Sequence, residues 1–185
     1  AAGREELKVS ESVPMKDARR LAHKLANAVY KHYTRETGPF ETRIAFTRKS
    51  PAGRDIYVSD WANQLLVSPK FTVLENREKA DLIRLTVNDL GFPQGATTDQ
   101  IYQKAKGFGL ELCPAETGPC LRLSTDDPDY MLIAMEQITG RGGNPDVFGL
   151  GSAADGLGLD ASRARPERRW RADNQFVFLL RKKKL

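Results

Sequence analysis

The sequence predicts an α+β fold, with N-terminal helices packed on a mainly antiparallel β-sheet formed by the C-terminal half. Three observations lead there. The chain has 185 residues, 40% hydrophobic and 29% charged, which is the size and mixture of one globular domain and excludes collagen-like or wholly disordered chains. Apolar residues recur at helical spacing in the first half. From Leu110 onward, short apolar runs alternate with turn clusters.

Residues 1–13 are polar, end at Pro14 and read as an extended arm ahead of a single domain over 14–185, with Pro69 marking where a sub-boundary would fall. Ala18, Leu21, Ala22, Leu25, Val29 and Tyr33 line one face of a helix over 16–35, stopped by Thr37-Gly38-Pro39. His23 and His32 are nine apart, half a turn out of phase, and cannot share a metal. Phe40 to Arg48 alternates as a half-buried strand, Ser50 to Gly53 is its turn, and Ile56 to Val58 is the returning strand. Asp60 to Leu66 follows as a short helix capped by Ser59 or Asp60.

Ala80, Ile83, Val87 and Leu90 predict a helix over 75–90, closed by Gly91 and Pro93. Thr97 and Gln100 form a capping box for a further helix over 98–106. Two helices across a short turn permit a winged-helix reading, with Gln100, Gln103, Lys104 and Lys106 facing a groove; a helix pair packed on a sheet is the simpler reading. The later candidate strands are 110–113, 120–124, 130–138, 147–150, 157–161 and 175–181, and the apolar run Tyr130 to Met135 should be buried between layers. The glycine-rich stretch 149–156 lacks the lysine of a phosphate-binding loop and reads as a flexible surface loop.

Charge is uneven. The chain has a net charge of +5, yet 109–161 holds nine acidic side chains against Arg122 and Arg141, and 162–185 reverses the sign. Either these blocks neutralise one another, or Arg163, Arg165, Arg168, Arg169 and Arg171, with Trp170 as an exposed stacking indole, form an anion-binding face for a nucleic acid, another anionic polymer or a protein. The longest apolar runs fall far short of the roughly 20 residues of a membrane span. Cys113 and Cys120 are expected as reduced thiols. The opening residues carry no apolar leader, so the expected compartment is the cytoplasm. With two histidines far upstream and no ligand spacing, no metal or cofactor is expected.

Asn88-Asp-Leu-Gly-Phe-Pro-Gln-Gly-Ala-Thr97 and Gly109-Leu-Glu-Leu-Cys-Pro-Ala-Glu-Thr-Gly-Pro-Cys-Leu-Arg-Leu123, with Leu132 to Ile138 and Val147-Phe148, resemble a bacterial family of uncharacterised proteins. Its pattern is Leu-Glu-Leu-Cys-Pro-Ala-Glu-x-Gly-Pro-x-Leu-Arg-Leu. The resemblance covers about 75–150, echoes at Trp170 and 176–181, and implies a bacterial source and a unitary α+β module. Cys120 stands where that pattern has a polar residue.

Chemically, Glu111, Cys113, Glu116 and Arg122 are the catalytic candidates: two carboxylates for acid/base work, a thiol and a cation within a dozen residues. In the alternative, Cys113 is a core residue, the prolines shape a turn, and Glu116 pairs with Arg122. The sequence therefore supports a non-enzymatic bacterial binding module acting through its Arg-rich segment, or else a small metal-independent nuclease or hydrolase of toxin type centred on that motif.

Overall fold

The computed structural model describes residues 49–71, 81–140, 142–153 and 156–180. The expected arm over 1–13, the helix over 16–35, the strand over 40–48 and both histidines lie outside them. In chain order the elements are β1 (Ile56–Val58), α1 (Asp60–Leu66), β2 (Asp81–Thr86), β3 (Ala96–Thr97), α2 (Thr98–Gly107), α3 (Thr117–Ser124), β4 (Met131–Ile133), β5 (Ile138–Thr139), β6 (Pro145–Ala153), β7 (Gly156–Arg163), β8 (Arg169–Trp170) and β9 (Gln175–Leu180).

These elements correct the predicted fold class. The described chain is mostly β, with three short helices that are not N-terminal. Its main sheet runs β1-β7-β6-β4-β9-β2, with β5 beside β6, while β3 and β8 form a two-stranded sheet. The main sheet is mixed: β1 pairs parallel with β7 and β4 parallel with β9, and its other pairings are antiparallel.

The largest correction falls on 75–90, where β2 replaces the helix from Asp81 and pairs with β9 from Asp81↔Leu180 to Thr86↔Gln175. Leu82, Ile83 and Leu85 are buried although neighbours in a strand point to opposite faces. A strand covered on both sides is an apolar run without alternation, and here that run imitated a helical stripe. The stop signal still holds, because Gly91 turns the chain at a φ of 93°. The winged-helix reading falls with the lost helix.

A second correction falls on the motif. The expected strand 110–113 reduces to single bridges, Glu111 to Leu179 and Cys113 to Met135, and the expected strand 120–124 is the second half of α3. Pro119 sits in the first helical turn, where no backbone N–H is required. A Cβ on Gly118 would come within 2.6 Å of Phe148 Cβ, so glycine lets α3 lie close on β6. Residues 149–153 and 156 of the glycine-rich stretch are likewise strand, since β6 and β7 pair from Asp146↔Arg163 to Ala153↔Gly156.

Other expectations hold. Ser59 caps α1, its hydroxyl accepting from Ala62 N at 3.1 Å, and the Thr97–Gln100 capping box opens α2. Met131 to Met135 are fully buried, whereas Tyr130, expected inside with them, is 44% exposed. Register places Phe148, Leu150 and Met131 on one face of the sheet and Leu132 and Phe176 on the other. Phe148 meets α3 through Gly118, whereas Phe176 packs edge-on against Trp170 of β8, so layers cover both faces of the sheet's centre.

Candidate functional site

The Cys113 motif is built into the core. Glu111 is half-buried, and its backbone exchanges two hydrogen bonds with Leu179, both at 2.9 Å. Cys113 N–H donates to Ala134 O at 2.7 Å, and its thiol lies 3.4 Å from Val177 O. Glu116, buried, stands at the N-terminal end of α3 without capping it through its side chain. Both cysteines are buried free thiols. Burial pushes the Cys113 thiol well above its ordinary range, and the Thr117 side chain opposes this only in part. A buried neutral thiol is a poor nucleophile.

Arg122 is 1% exposed and donates to three backbone carbonyls: Gly151 O at 3.3 Å, Thr125 O at 2.7 Å and Asp127 O at 2.9 Å. It thereby ties the end of α3 to β6 and to the acidic loop that follows. The same loop is held from outside by Arg84, 2.8 Å from Asp127 and 3.9 Å from Asp129, and by Asp126, which accepts from Ser50 and Ala52. The motif thus resolves into fastenings of the fold, with three of its four candidate side chains buried. Among the described residues, no group of three His, Cys, Asp or Glu side chains is placed to hold a metal ion.

The basic segment is arranged differently. Arg163, Arg165, Arg168, Arg169 and Arg171 are exposed, on backbone that is firmly anchored. Ala164, fully buried, donates to Pro145 O at 2.8 Å and accepts from the Gln137 side chain at 2.9 Å. The carbonyls of Pro166 and Arg168 accept the Asp99 and Thr98 N–H groups that open α2, both at 3.0 Å. Trp170, expected at the surface, is 5% exposed and donates its indole N–H to Thr98 Oγ1. Its ring is already stacked within the molecule, because the Arg168 guanidinium carbon lies 4.1 Å over the ring centroid.

The arginines find mostly neutral oxygens. Arg165 reaches the Asn144 amide oxygen at 2.8 Å and Arg168 the Arg163 carbonyl at 2.7 Å. Arg171 meets Asp173 at 3.0 Å, a highly exposed pair from within the segment itself. Nearest to cross-neutralisation is Asp146, the register partner of Arg163. Burial raises its carboxyl above the ordinary range while the Arg163 guanidinium opposes the shift. On α2, Lys104 lies 5.9 and 5.7 Å from the Phe92 and Phe108 rings, and Gln103 bonds Asp99, so these side chains are occupied locally.

Sequence reasoning missed Tyr57 and Tyr130, large aromatic side chains left 47% and 44% exposed on one face of the sheet. Their signal was the alternation of glycines 149, 151, 156 and 158, positions of β6 and β7 that add no side chain to that face.

Among known proteins, the chain is similar over 59 residues to the Tol-Pal system protein TolB of Myxococcus xanthus, at 54% identity, and of Anaeromyxobacter sp. (strain K), at 42%. The match covers 32% of this chain and 14% of either TolB. No family model matches, and neither does any solved structure. The likeness supports a bacterial origin. No helix among the described residues is long and apolar enough to cross a membrane.

Proposed function

We propose that this chain is a non-enzymatic binding module for anionic polymers, engaging them through Arg163, Arg165, Arg168, Arg169 and Arg171. The supporting observation is the display of these five exposed guanidinium groups on backbone pinned by Ala164, Trp170 and the start of α2. Pre-ordered cations on a fixed frame lose little entropy when they meet phosphate or sulfate groups, and guanidinium suits such oxyanions. Trp170 serves as a support for Arg168. The hydrolase alternative has less behind it, since its thiol is buried and neutral and its arginine is engaged by carbonyls.

The TolB likeness favours a second reading, in which the matched part works with a Tol-Pal system and the basic face meets a protein. Anisotropy of fluorescently labelled single-stranded RNA separates the two. Binding should weaken steeply with salt through counterion release. Changing Arg165, Arg168, Arg169 and Arg171 to alanine should lower both affinity and salt slope while the melting midpoint moves little. Absence of binding at low salt, or binding unaffected by the four changes, would sink the proposal.

A further inference from the structure

Gly158 lies inside β7, in register with Tyr57 of β1 on one side and Gly151 of β6 on the other, so all three share one face of the sheet. Nothing in its own surroundings demands glycine. Its φ is not positive, and among the described residues a Cβ there would meet nothing nearer than 3.6 Å. Glycine in a strand interior weakens the strand and often marks a bulge, a tight bend, or close approach of a ligand or another backbone, and the β6–β7 register runs here without a bulge. Among the described residues, Gly158 is therefore a floor with space above it.

The walls are aromatic. Tyr130 lies across Gly149 and Gly151, its ring 3.1 Å from where a Gly151 Cβ would stand, and its phenol is fixed 2.7 Å from Ser162 Oγ. Tyr57 leans over Gly156 from the other side, its Cε2 3.1 Å from the corresponding Cβ position. Tyr130, just ahead of β4, reaches over the glycines of β6, and Tyr57 of β1 leans over Gly156 of β7, so the two rings flank the open position at Gly158. Asp160, two residues along β7 and on the same face, is exposed. Its Oδ1 accepts from the Ser59 hydroxyl at 2.6 Å and from Ala161 N at 2.8 Å, while its Oδ2 has no hydrogen-bond partner among the described residues.

We infer that the Tyr57–Gly158–Tyr130 slot, closed at one end by Asp160, receives an arginine side chain presented by a partner protein. The charge decides the occupant. A carboxylate with an open oxygen, beside two tyrosine rings, complements a flat cation that can stack and hydrogen-bond together, which is what guanidinium offers. This site is separate from the basic segment.

The probe is the capped tripeptide Gly-Arg-Gly, titrated against the whole chain while tyrosine ring proton shifts are followed by NMR. A twin peptide with citrulline, neutral and nearly the same shape, is titrated in parallel. The arginine peptide should perturb Tyr57 and Tyr130 and bind at least about five-fold more tightly than the citrulline peptide. Asp160→Asn, which keeps the oxygen that Ser59 and Ala161 use, should abolish that preference. Gly158→Val fills the floor and should remove binding while the melting temperature holds or rises, because valine suits a strand where room exists. Equal binding of both peptides would show a slot for neutral planar groups and overturn the inference. So would unchanged binding to a folded Gly158→Val variant, or no perturbation of the two tyrosines.

Discussion

Trp170 donates its indole N–H to the hydroxyl of Thr98 at 2.8 Å, and both side chains are buried. Together with the edge-on contact of Trp170 and Phe176 at 5.3 Å, this bond fastens β8, the first turn of α2 and the main sheet at one point. It also decides the character of the basic segment: the aromatic ring is spent on architecture, and only the arginines face outward.

Thr98→Val should test that fastening. It keeps the shape but leaves the indole N–H buried without its acceptor, which costs about 1–3 kcal/mol. Thr98→Ser should recover most of the loss. Urea unfolding followed by tryptophan fluorescence reads both.

Arg122→Met should destabilise the protein by about 3 kcal/mol or more, because charged hydrogen bonds to three carbonyls vanish and those carbonyls stay enclosed. Arg122→Lys should recover only part, since an ammonium cannot reproduce the planar fork. A variant that folds with unchanged stability would contradict the role assigned to Arg122.

Both cysteines should resist alkylation in the native protein at pH 8 and react at equal rates with and without reductant once unfolded. Burial withholds reagent, and the elevated Cys113 thiol supplies little thiolate. Mass spectrometry of iodoacetamide-treated samples gives the answer, and fast native labelling of Cys113 would reopen the catalytic reading.

Asp146 should give stability a particular pH dependence. Because its folded carboxyl is raised, the native state holds this proton more tightly than the unfolded state. Its contribution is therefore most favourable at low pH and is lost as pH rises above the unfolded value of about 3.9. Asp146→Asn should remove that slope, so the stability difference between variant and parent should shift in the variant's favour between pH 4 and pH 7, measured by denaturant unfolding.

Local chemistry was legible in the sequence, whereas long-range pairing was not. Ser59 and the Thr97–Gln100 box announced two helix starts because a cap is a contact between near neighbours. The buried run at Met131 announced a covered strand. Asp81 to Thr86 misled because its partner, Gln175 to Leu180, lies far along the chain, and only that pairing turns an apolar cluster into a strand. Cys120 to Ser124 misled because Gly118 and Pro119 read as turn punctuation, although one admits Phe148 and the other occupies a position that needs no donor. The arginines were legible as a block. Trp170's inward orientation depended on Thr98, which no spacing within 162–185 could reveal.

The three-residue strand β4 sets how this sheet assembles and fails. On one side β6 and β7 are joined across residues 154 and 155 and can zip together locally, an event on the scale of microseconds. On the other, β2 and β9 must close a loop spanning about half the chain, an added entropic cost of roughly 3 kcal/mol at 0.6 per doubling of loop length. The two halves meet where β4 pairs with β9 through Leu132↔Phe176 and Ile133↔Val177. That short seam is where thermal opening would split the sheet, baring Leu132, Phe176 and Val177 together as a sticky strand edge. Misassembly between copies, rather than slow chemistry at any side chain, is then the hazard this architecture carries when the protein is made at high concentration.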